Sequence, residues 1–134
     1  MLGSFSGRAG GNILPARFVK RTGVSGEAVV TQCGANESPW GIGPKGTRRM
    51  ALTGWDDGFA AVAGDDVNVF GPGDDVAPLE LGGTVAVGDY IKSDSVGRGV
   101  SASTDKDRVG AQALEPGVAG QLIRVKPMRF DLSV

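Results

Sequence analysis

Residues 81–100, LGGTVAVGDYIKSDSVGRGV, carry short apolar alternations that are cut every few residues by Gly-Gly, Gly-Asp or Gly-Arg-Gly. Such spacing leaves room for short strands and tight turns. The pattern is not local. Glycine occupies 23 of the 134 positions without a G-X-Y period, and no long polar tract suggests disorder. A chain of this length has room for one domain with a real core.

Along the chain, ILPARFVK (Ile13 to Lys20) suits an edge segment, because Pro15 cannot donate to a central ladder. EAVVTQC follows as a strand between Gly26 and Gly34. The segment GANESPWGIGPKGTRR reads as loop, and a short helical turn fits TRRMAL. Asp pairs recur at 56 and 57, 65 and 66, and 74 and 75, a spacing of nine that one turn and one short strand would fill. Solvated turns explain them better than calcium, since a calcium-binding nonapeptide repeat needs glycines that these units lack. Asp94 to Gly97 fits a type I turn with Asp first and Gly fourth, with Ile91 facing the core and Tyr90 and Lys92 facing outward. Val109 to Leu114 and Gln121 to Val125 add two strands around a Pro116-Gly117 turn. Seven or eight short strands of this kind predict an all-β fold, a small barrel or sandwich. The expected layout is a flexible Gly-rich arm over residues 1–12, then a single β domain over 13–134 with a C-terminal extension from about 126.

Several chemistries are set aside by composition. The chain has no histidine, the side chain most used as a general base near neutral pH. Its one cysteine, Cys33, cannot form an intramolecular disulfide or a thiolate cluster, and reads as a small buried apolar residue. GIGPKG (Gly41 to Gly46) satisfies G-x-G-x-x-G, but no strand runs straight into it and Pro44 sits among the glycines. It also fails as a P-loop, because Thr47 and Arg48 follow Gly46. No catalytic residue, cofactor or metal ligand is therefore expected. No apolar run reaches the ~18 residues of a membrane span, and a soluble chain made in a cytoplasm is expected.

The net charge of −1 averages unlike segments. Residues 1–53 hold seven Lys/Arg against two Glu (+5), residues 54–107 three against eleven acids (−8), and residues 108–134 four against two (+2). This asymmetry predicts electrostatic complementarity with a partner or neighbouring subunit. Basic residues are not interleaved with aromatics in a stacking pattern, so no direct nucleic-acid contact is expected.

The order VAVGDYIKSDSVGRGV followed by RVGAQALEPGVAGQLIRV resembles the decoration, or cement, proteins of tailed-phage heads. The residues that carry the likeness are Val85, Gly88, Asp89, Ile91, Lys92, Ser93, Asp94 and Gly97, then Val109, Gly110, Ala113, Leu114, Glu115, Gly117, Gly120, Leu122, Ile123 and Val125. The loop GANESPWGIG also looks like that family's, whereas the tail KPMRFDLSV extends past its usual final strand. The resemblance implies a non-enzymatic protein of the virion that binds the outer surface of the assembled major capsid protein and braces it against internal DNA pressure. It also implies self-association as a homotrimer and no membrane partner. Phe5, Arg8, Ile13, Leu14 and Phe18, in an otherwise core-poor basic stretch, are the residues expected to touch the shell or a neighbouring subunit. Alternatives are another β-rich virion part, a head fibre base or tail tube protein, and a biotinyl- or lipoyl-type carrier domain, which would need Lys92 at a hairpin tip.

Overall fold

The computed structural model of the chain describes residues 4–21, 29–37, 39–43, 66–71, 76–104 and 106–132. Among them the fold is all-β, as the alternations require. Strands β1 (Ser4–Ala9), β2 (Phe18–Arg21), β3 (Val29–Gln32), β4 (Gly41–Ile42) and β5 (Asp66–Phe70) close into a barrel in the order β1, β3, β2, β4, β5. Strand β5 returns to pair with β1, and β1 with β3 is the parallel contact in it. Strands β6 (Ala77–Glu80), β7 (Tyr90–Ser93), β8 (Gly99–Ser101), β9 (Arg108–Ala113) and β10 (Leu122–Asp131) form an antiparallel sheet in the order β6, β10, β9, β7, β8. That sheet curls, and a bridge from Leu81 to Gly99 joins the end of β6 to β8.

Two expected boundaries are corrected. Ser4–Ala9 is not a free arm but a barrel strand, with Ala9 buried and β1 paired along its length to β5. Small residues such as Ser4, Ser6 and Gly7 are thin on core volume, yet backbone pairing does not depend on side-chain size. Likewise Lys126–Asp131 is no appendage: it continues β10 and pairs with β9. The TRRMAL segment, Pro44 to Gly46 and the Asp pairs, apart from the backbone of Asp66, lie outside the described residues.

Strand β2 explains how the two sheets share a core. Successive side chains on a strand point to opposite faces. Val19 accordingly packs inside the barrel with Ala9, Ile13, Val30 and Val69. Phe18 points the other way and joins Ile42 and Cys33 to the core of the second sheet, among Leu79, Leu81, Ile91, Ala111 and Val125. Both are fully buried.

The β7–β8 hairpin fastens the second sheet to the barrel. Its tip is the predicted turn: the Gly97 amide donates to the Asp94 carbonyl at 3.2 Å, and Gly97 has φ +80°. Asp94 Oδ1 accepts from the amides of Val96 and Arg98, both at 2.9 Å. The tip then meets β2, with the Phe18 amide donating to the Gly97 carbonyl at 2.7 Å. Arg17 completes the junction, donating to the Val96 carbonyl at 2.9 Å and pairing with Glu80 at 3.0 Å. Asp94→Ala removes two charge-assisted acceptances and should cost about 2 kcal/mol in urea unfolding. A loss below a few tenths would show that the turn holds without its side chain.

Candidate interaction surface

Among the described residues no group of His, Cys, Asp and Glu side chains stands close enough to hold a metal ion, and no pocket opens. Cys33 is buried, and burial above all pushes its thiol up to about 12, with Glu37 adding to the rise. It stays a neutral thiol at physiological pH and packs as an apolar side chain.

The five residues expected at an interface do not form one surface. Ile13 lies inside the barrel and Phe18 between the sheets, so neither has surface to offer a partner in this fold. Their alternation with Leu14 and Val19 was open to a core reading that their position near the N-terminus obscured. Leu14 is half-buried, and its amide donates to Gln32 Oε1 at 2.9 Å. Arg8 is exposed on β1, in register with Val29 and Asp66, while Phe5 stands opposite Val69. Deleting residues 1–12 would therefore take a strand from the barrel, and lost binding would report on folding as well as contact.

The second sheet presents a surface of different character. Register places Tyr90, Gln112 and Lys126 in one row across β7, β9 and β10, all on the outward face. The next inward row is Ile91, Ala111 and Pro127, all buried. Then both pairings shift at Gly110: β7 steps from Ala111 to Val109, and on β10 Met128 and Arg129 together oppose the one glycine. A bulge bends its strand and re-aims the side chains beyond it. Here it brings Phe130 beside Tyr90, ring centroids 5.0 Å apart and planes at 86°, in an edge-to-face pair. Tyr90 keeps 38% of its surface and Phe130 37%, so the pair is both packed and open. The outward prediction for Tyr90 was legible by alternation. Phe130 was missed, because a bulge leaves no periodic signal.

Around this pair the charges are uneven. Among the described residues Lys126, Arg129 and Lys106 are exposed and make no ion pair, whereas Arg108 stands in register with Asp131 and helps to hold the Glu37 carboxyl down. Further along β10, Arg124 is balanced by Glu115 at 2.7 Å, which holds that carboxyl below the usual range. At the end of the sheet, Val87 and Val118 in loops, Leu114 just after β9 and Leu122 at the start of β10 are about half exposed or more.

Residues 102–104 and 106–107 border the outward face. Asp107 accepts from the amides of Thr104 at 3.0 Å and Ser103 at 3.1 Å, and pairs with Lys92 at 3.1 Å. The Thr104 amide first, then Lys92 and Ser103, hold its carboxyl below the ordinary value. Glu37 is held down in the same sense by Lys20 and the Gly34 amide. A carboxyl depressed in the folded state binds fewer protons than in the unfolded chain, so its contribution is complete above the ordinary carboxylate value and is lost as pH falls through the folded one. Thermal stability should fall steeply below about pH 4. Asp107→Asn should lower stability at pH 7 by about 1–3 kcal/mol and flatten that acid limb. An unchanged limb would remove Asp107 from the account.

No family model matches the chain, and no curated protein matches it. Among solved structures, the chain is similar to the N base of the head fibre protein gp8.5 of bacteriophage phi29, with a TM-score of 0.70 and 21% sequence identity over 100% of both chains. At that identity the likeness is one of fold.

Proposed function

We propose that the chain is a non-enzymatic structural component of a tailed-phage virion, docked on the outside of the head as the base of a head fibre. The observation that supports this best is the end-to-end match to a head-fibre N base, which leaves no part of either chain over. The second reading, a decoration protein spread over the shell, is favoured by the resemblance of residues 85–125. Both readings need the same properties: a stable β scaffold, an outward face for protein contact, and the major capsid protein as partner. Self-association as a trimer belongs to both as a proposal, since repeated weak contacts on a lattice add through avidity.

Sedimentation tests the shared part. The purified chain, mixed with heads from a phage that lacks it through deletion of its gene, should pellet with the heads. A chain that stays in the supernatant at every concentration would overturn both readings.

A further inference from the structure

We infer that the outward face of the second sheet, centred on Tyr90 and Phe130, is a docking surface for an acidic protein surface, carboxylates placed around an apolar centre. The inference deepens the proposed function, on which it rests, by naming the face through which the chain meets its protein partner. An exposed, mutually packed aromatic pair is the kind of anchor that carries binding energy at protein interfaces, because each ring offers large apolar area with few torsions to freeze. Tyr90 and Phe130 are held in place by the strands beneath them, β7 and β10, which flank β9. Arg129, exposed in the bulge opposite Gly110, directly precedes Phe130, and Lys126 shares a row with Tyr90. These two cations make a basic rim beside the aromatic pair.

The charge of the rim selects the partner's chemistry. In a chain of net charge −1, exposed cations on one face that make no ion pair among the described residues complement carboxylates elsewhere. A nucleic acid fits less well. The two rings stand at 86° to one another and so give successive bases no parallel platform.

The test uses the full chain, the double variant Lys126→Glu with Arg129→Glu, and the single variant Phe130→Ser, each with its folding checked by circular dichroism and thermal unfolding. Three probes are measured: heads lacking the chain, a soluble glutamate–tyrosine copolymer, and a thymidine oligonucleotide. Binding to heads and to the copolymer should weaken at least about tenfold in both variants, and copolymer binding should weaken with salt. Heads bound equally by all three proteins would overturn the inference while leaving the proposed function standing. If the wild-type chain ignores heads, that function fails, and the copolymer decides the inference: binding lost in the variants supports it, no binding overturns it. Tighter binding to the oligonucleotide through the same residues would overturn it in favour of nucleic acid.

Discussion

Phe18→Ala should lower the unfolding free energy by about 3–5 kcal/mol and the melting temperature by roughly 10–20 °C. Among the described residues Phe18 is the largest fully buried side chain, and it joins the barrel to the core of the second sheet. Truncation loses the transfer energy of the ring and leaves a void that neither sheet can collapse into easily. The backbone on both sides is fixed, since the Phe18 amide donates to Gly97 at 2.7 Å and its carbonyl accepts from Cys33 at 2.9 Å. Phe18→Leu, which keeps most of the volume, should cost about 1–1.5 kcal/mol. Equal melting temperatures for wild type and Phe18→Ala would mean that the sheets are not held by this core.

Gly41→Ala should be nearly as costly, about 3 kcal/mol, for the opposite reason. Strand β4 lies so close to β5 that a Cβ at residue 41 would overlap the Phe70 carbonyl oxygen and the Val69 side chain. A side chain can swing aside, but the carbonyl belongs to β5, whose pairing with β1 closes the barrel. Denaturant unfolding with an unchanged slope should show a lower midpoint, and wild-type stability in this variant would contradict the close approach.

Gly41 also illustrates what the sequence could and could not disclose. As the first glycine of GIGPKG it imitates a nucleotide fingerprint, and its actual use, close packing of two backbones, leaves no local signature. Features that depend on neighbours in sequence were legible: the all-β class, the Asp94 turn, the inward Ile91, the outward Tyr90 and the buried Cys33. Features that depend on distant pairing were not. The place of β1 in the barrel follows from hydrogen bonds to β5, some sixty residues away, and small residues gave no hint of it. Ile13 and Phe18 looked like interface residues because their core partners, such as Val69 and Ile91, lie far along the chain. Phe130 reached the outward face through a bulge that periodicity cannot foresee.

The central claim, a structural part on the exterior of a phage head, is tested most directly by electron cryomicroscopy of mature particles with and without the gene for this chain. The account predicts extra density outside the shell that disappears on deletion and accepts the barrel and curled sheet without rearrangement. Density that continues outward into a fibre would favour the fibre-base reading, and a layer without protrusions the decoration reading. Heads identical in the two preparations, or density confined to the tail, would contradict the account.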